Sequence, residues 1–142
     1  MAEYSFTPLQ TVEADNNILF ANGFRACRKG FVLHRDDSGV FYLKGVTNQC
    51  KAVYKVQFNG NIAIAAGGTV EPISVALTIN GEEIGNATAI ATPTVIGSFF
   101  NVSFATLVDV PCSCCVTIAV KNTSATTAID VQNANVIIDR VA

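Results

Sequence analysis

Residues 52–65 read Ala52-Val-Tyr-Lys-Val-Gln-Phe-Asn-Gly-Asn-Ile-Ala-Ile-Ala65, and their alternation decides the fold class. Tyr54, Val56, Phe58 and Gly60 fall on one set of alternate positions, and Val53, Lys55, Gln57 and Asn59 on the other. Successive side chains of a β-strand point to opposite faces, so this period predicts a strand with one apolar and one mainly polar side. Asn59-Gly60 reads as a kink and Gly67-Gly68 as a turn.

The same period extends outward in both directions. Ile73 to Ile79 alternates Ile73, Val75, Leu77 and Ile79 with Ser74, Ala76, Thr78 and then Asn80. Asn80-Gly81 is the preferred dipeptide of a type I′ hairpin, in which both central residues take positive φ. Glu82 to Ala91 returns as a weaker strand that ends before Pro93. A long strand is expected within Val95 to Val110, then Val116 to Val120, a turn at Lys121-Asn-Thr-Ser124, and a last strand within Ala128 to Val141. Upstream, Phe31 to Arg35 and Val40 to Leu43 flank Asp36-Asp37-Ser38-Gly39, a hairpin signal, with a first strand in Ile18 to Phe24. Sustained helical spacing is absent. About eight or nine strands with turn signals every 8–12 residues predict an all-β sandwich of jelly-roll type. With no linker, low-complexity tract or internal repeat, residues 18–142 read as one jelly-roll domain. Residues 1–17, broken by Thr7-Pro8 and Asp15-Asn16-Asn17, read as an extended polar N-terminal arm that docks on a neighbouring subunit or a larger assembly.

Charge narrows the function classes. Only 14% of the 142 residues are charged while half are apolar; an ordinary soluble domain carries about 25% charge. That balance excludes a disordered chain. A net charge of −2 excludes a nucleic-acid binder that works by bulk positive charge. No apolar run approaches the length of a membrane-spanning helix, so no membrane insertion is expected. The opening residues hold no basic segment followed by an apolar core, so no secretory leader is expected there. The charges are also uneven: residues 1–55 hold seven Lys/Arg and five Asp/Glu, and residues 56–142 hold two and six. A domain so poor in charge either hides apolar surface in an oligomer or covers itself with neutral polar groups.

No catalytic constellation emerges. His34 is the only histidine, so neither a one-subunit triad nor a cupin-type metal site with several histidines is expected; beside Arg35 and Asp36 it reads as a solvated strand end. The five cysteines, Cys27, Cys50, Cys112, Cys114 and Cys115, form an odd set without zinc-ligand spacing. They read mainly as buried reduced thiols, with a disulfide such as Cys27–Cys50 or Cys112–Cys114 as the alternative. Asp36-Asp37 and Glu82-Glu83 sit at expected turns, and adjacent strand residues face opposite ways, so neither makes a two-carboxylate site. Arg25, Arg28 and Lys29, with Lys44 and Lys51, form the basic group that faces a partner. No catalytic residue, metal site or cofactor is expected.

The order of features from Tyr54 onward carries a family resemblance. Tyr54-Lys-Val-Gln-Phe-Asn-Gly-Asn-Ile62 precedes Val75-Ala-Leu-Thr-Ile-Asn-Gly-Glu-Glu-Ile-Gly85, a strand ending Leu107-Val-Asp-Val-Pro111, then Val116-Thr-Ile-Ala-Val-Lys-Asn-Thr-Ser124 and Val131-Gln-Asn-Ala-Asn-Val-Ile-Ile-Asp139. This resembles the C1q/TNF-like jelly rolls of bacteria and their viruses, including the globular tips of collagen-like spore-surface proteins, over roughly 90 residues. Cys112-Ser-Cys-Cys115 stands where such domains often place a Gly-containing turn, and no Gly-x-y stalk is present. The resemblance implies a compact homotrimer that buries apolar strand faces between subunits. The expectation is a non-enzymatic virion component, a decoration protein or head fibre, partnered by itself and by capsid or fibre proteins. In that setting the protein is made in the bacterial cytoplasm, the segments 1–17 and 25–51 face the particle, and the loops 80–86 and 92–98 face outward. The alternative is a binding module on a cell or spore surface that recognises a glycan or protein.

Overall fold

A computed structural model describes residues 1–22, 30–45, 48–112 and 115–142. In chain order the strands are β1 (Ala2–Phe6), β2 (Gln10–Val12), β3 (Ala21–Asn22), β4 (Val32–His34), β5 (Val40–Lys44), β6 (Lys51–Ile64), β7 (Ile73–Ile79), β8 (Glu82–Ala91), β9 (Phe100–Pro111), β10 (Cys115–Asn122) and β11 (Ile129–Arg140). The described residues contain no helix. A six-stranded sheet runs β3-β1-β11-β6-β9 with β2 also on β11, and a five-stranded sheet runs β4-β5-β10-β7-β8. The ladders are antiparallel, and non-consecutive strands lie side by side, as when β6 sits between β11 and β9. The result is an all-β jelly-roll sandwich.

The alternation read from residues 52–65 is the alternation of burial. Tyr54, Val56, Phe58 and Ile62 are buried, while Lys55, Gln57 and Asn59 are exposed. Between the sheets the rings form a continuous pile. Phe58 stacks on Phe104 with centroids 5.3 Å apart. Phe20 meets Phe58 edge-on and Phe41 at 5.6 Å, and Phe41 meets Tyr4 at 5.0 Å. The Tyr54 hydroxyl, at the end of this core, donates to the Lys44 carbonyl at 2.6 Å and ties β6 to the opposite sheet.

The hairpins follow their sequence signals. Asn80 and Gly81 take φ of 51° and 89°, and Ile79 pairs with Glu82, as a two-residue type I′ turn requires. β4 and β5 pair across the Asp36–Gly39 turn. There the positive φ falls on Asp37, at 60°, and not on Gly39. Gly39 is required for space, because a Cβ would stand 2.7 Å from both the Asn17 Cβ and the Ile18 carbonyl oxygen.

Two expectations change. Asn59-Gly60 does not kink its strand: β6 runs unbroken to Ile64, with Gly60 leaving room for the Phe58 ring and the Ala134 backbone. The irregularity lies on β11, where the register shifts between Gln132 and Asn135 and Asn133 takes a φ of 56°. Residues 1–17 are extended, but they run along their own chain instead of leaving it. β1 pairs with Ala134–Ile138 and β2 with Ile129–Val131. The break between them at Thr7-Pro8 falls opposite the β11 bulge, where the Asn133 N–H donates to the Thr7 carbonyl. Proline has no N–H for a ladder, so it sits where the ladder is already interrupted. Met1 ends 3.7 Å from the Asp139 carboxylate.

Candidate interaction surface

Of the basic group expected to face a partner, Arg25, Arg28 and Lys29 lie outside the described residues. Lys44 ends β5 and Lys51 begins β6, so the two flank one end of the sandwich, one on each sheet. Lys51 is not a bare cation: its Nζ donates to the Asp109 carboxylate at 2.8 Å. Of the cysteines, Cys27 and Cys114 lie outside the described residues, and with them the Cys27–Cys50 and Cys112–Cys114 pairings. Cys50, Cys112 and Cys115 are exposed, which corrects the expectation of buried thiols. They sit at the strand ends where the chain crosses between sheets, beyond the filled core.

His34 is a half-buried ring and not a solvated strand end. It stacks on Phe41 at 4.5 Å and 19°, lies 4.7 Å from Tyr4, and its Nε2 is 2.8 Å from the Ser38 carbonyl oxygen. The turn carbonyl orients a ring that serves as the outermost member of the aromatic pile. Glu83 lies 3.8 Å from Lys121, which also reaches Asp15 at 3.5 Å. Among the described residues no three His, Cys, Asp or Glu side chains gather as metal ligands.

The conspicuous surface lies on the six-stranded sheet, at its β9 edge. β9 ends one sheet and β8 ends the other. Each is long, ten and twelve residues, and presents unpaired backbone groups along one side. Monomeric proteins blunt such edges with charge, proline or short length. Here β9 carries one charged residue, Asp109, and one proline, Pro111, both at its last three positions. Large apolar side chains stand out on the two edge strands and the connection between them: Ile90 of β8 is 68% exposed, Leu107 of β9 61% and Phe100 43%, with Val95 at 62% and Phe99 at 43% in the connection.

The outer face of the sheet continues this edge with amides and small side chains on β6, β9 and β11. β6 and β11 present Gln57, Asn59, Asn61, Asn135 and Ile137 there, beside Asn101, Ser103, Ala105 and Leu107 of β9. The amides partly satisfy one another. Asn101 Nδ2 donates to Asn59 Oδ1 at 2.9 Å and to Asn61 Oδ1 at 3.1 Å. The Asn135 Oδ1 is buried with no hydrogen-bond partner, an arrangement that costs about 1–3 kcal/mol unless a donor arrives. Charges flank this patch: Glu3 of β1 stands opposite Ile137, Lys51, Lys55, Asp109 and Asp139 lie toward one end, and Asp130 lies toward the other.

The expected outward rim does not form as one unit. The turn Asn80-Gly81 precedes β8 and residues 92–98 follow it, so they lie at opposite ends of that strand. The first is fixed to β10 by Asn80 Oδ1, which accepts from the Thr117 N–H at 3.0 Å. The second is tied to β6 by the Gly97 N–H on the Ile64 carbonyl at 3.1 Å.

Solved structures share this architecture closely. A TNF named Eiger from S. frugiperda superposes with a TM-score of 0.68 at 11% identity, covering 99% of this chain and 92% of that one. The fold is the TNF/C1q-like jelly roll. Murine APRIL gives 0.63 at 9% identity over 97% and 98% of the two chains. The globular domain of zebrafish complement 1qA protein gives 0.60 at 9% identity over 96% of each. At such identities the likeness speaks for the fold alone. No family model matches the sequence, and no curated protein matches it. The sequence signals for this jelly roll were the Asn80-Gly81 turn and the alternating runs. The edge surface carries no motif and was not visible in the sequence.

Proposed function

We propose that the chain is a non-enzymatic, self-associating jelly-roll module, a homotrimer that serves as a structural or attachment component of a bacteriophage particle. The observation that carries self-association is the long, bare β9 edge, with Leu107 exposed on its outer face, Phe100 exposed at its start, and an amide-rich sheet face beside it. A second copy laid over it removes the apolar side chains from water. The trimeric order and the particle setting rest on the resemblance to C1q/TNF-like jelly rolls of bacteria and their viruses.

Native mass spectrometry at micromolar concentration tests the first part, with a trimer expected and a monomer refuting it. The Leu107→Glu exchange separates edge from bulk. Burying a leucine is worth about 1.5–3 kcal/mol, and Leu107 is 61% exposed, so about 1–2 kcal/mol is available per copy. Three copies together weaken the assembly by at least about a hundredfold, while the monomer fold is unchanged because the side chain leaves no core. Mass spectrometry of purified particles made by a strain that carries the gene tests the setting; absence of the chain refutes it. A second reading, a glycan-binding module, has the amide-lined depression over Gln57, Asn59, Ser103 and Asn135 in its favour. A glycan array with hits lost on Asn59→Ala supports it.

A further inference from the structure

We infer that Cys50 and Cys112 form a reversible disulfide-forming pair, a thiol modification site that closes the end of the β6–β9 ladder. The register of that ladder sets Lys51 opposite Pro111 and Ala52 opposite Val110. One further step sets Cys50 opposite Cys112. The backbone takes that step, because the Cys112 N–H donates to the Cys50 carbonyl at 3.1 Å. Hydrogen-bonded and non-hydrogen-bonded pairs alternate along an antiparallel ladder. With 50/112 hydrogen-bonded, 51/111 is non-hydrogen-bonded, and Pro111 stands where no N–H is needed. Directly opposed residues of a hydrogen-bonded pair have Cα atoms about 5.5 Å apart, within the range of about 4.4–6.8 Å that a disulfide spans.

Both thiols are free and exposed, so a small oxidant reaches them. The oxidant is a low-molecular-weight disulfide. One cysteine thiolate attacks a sulfur of that disulfide and releases one small thiol, leaving a mixed disulfide on the protein. The second thiolate displaces the second small thiol and closes the Cys50–Cys112 bond. Two protein thiols are oxidised, one small disulfide is reduced to two small thiols, and the thiolates' protons pass to the departing thiolates. The bond locks the point where the chain leaves β9 ahead of β10, which lies on the other sheet. An exposed cross-strand disulfide is readily reduced, so the site responds to redox conditions in both directions.

The test treats the folded full-length chain with excess oxidised glutathione, alkylates the remaining thiols, and maps linkages by tandem mass spectrometry without reduction. The expected result is a Cys50–Cys112 cross-link, removed by dithiothreitol, absent from C50S and from C112S, and retained in C115S. Circular dichroism confirms that each variant keeps its strands. Full alkylation of Cys50 and Cys112 after the treatment overturns the inference. So does a persistent glutathione adduct on either residue, or a predominant link from either to Cys27, Cys114 or Cys115.

Discussion

Asn122 is the residue at which removing a single side chain tells most about the sandwich. It ends β10, is fully buried, and spends its whole amide on backbone groups. Nδ2 donates to the Val12 carbonyl at 3.0 Å and to the Thr127 carbonyl at 3.1 Å. Oδ1 accepts from the Ser124 N–H at 3.0 Å. Its own backbone accepts from Asp15 and donates to Asn16, both at 2.9 Å. One side chain thus joins the N-terminal segment, β10 and the 123–128 connection. Asn122→Ala takes one hydrogen bond each from two carbonyls and one N–H in a buried site. At about 1–3 kcal/mol for each group that loses a partner, with some relief from relaxation, the loss is about 3–5 kcal/mol. Urea unfolding at one fixed protein concentration measures it, with an unchanged m-value. Hydrogen exchange at the Asp15 and Ile18 amides accelerates, because both bond to this end of β10. Asn122→Asp makes a sharper comparison. It turns an acceptor toward the Val12 and Thr127 carbonyls, so burial and those oxygens raise the new carboxyl's pKa in the folded state. Its destabilisation is largest at neutral pH and eases as the pH falls and the carboxyl binds a proton. A loss under about 1 kcal/mol for Asn122→Ala, with unchanged exchange, refutes the account of residues 12–18 as an integral part of the sandwich.

Two glycines and one carboxylate give further tests. Gly39→Ala drives a Cβ to 2.7 Å from the Ile18 carbonyl oxygen and costs about 2–3 kcal/mol in chemical denaturation. Gly81→Ala meets open space and suffers only from its φ of 89°, so it costs about 1 kcal/mol; equal losses contradict the two causes. The Thr127 hydroxyl, followed by that of Thr126, donates to Glu71 and holds its carboxyl below the usual carboxylate range. A lowered folded-state pKa contributes stability that is present at neutral pH and lost as the pH falls through and below that range. Thr127→Val therefore narrows the difference in melting temperature between neutral and acid solution. A difference unchanged from the parent assigns the acid response to other groups.

Most strands from residue 31 onward were legible in the sequence, because a period of two and the φ demands of turns are local properties. Glu82 to Ala91 matches β8, and Asn80-Gly81 forms the turn that its residue types require. β1 and β2 were missed, although Ala2, Tyr4 and Phe6 alternate with Glu3 and Ser5, because the breakers at Thr7-Pro8 and Asp15-Asn16-Asn17 mask two short strands. They are strands because β11 offers them an edge. The same reason governs the site. Charge counts along the chain located the shortage after residue 55 but gave it no shape, because neighbouring residues of a strand face opposite ways. Leu107 of β9 and Asn135 of β11 meet one outer face only when β6 lies between them. Cys50 and Cys112 are 62 positions apart in the chain and become opposite neighbours only through the β6–β9 register. Local chemistry decided which segments are strands; strand order and register, set by long-range pairing, decided which edges stay bare and which side chains meet.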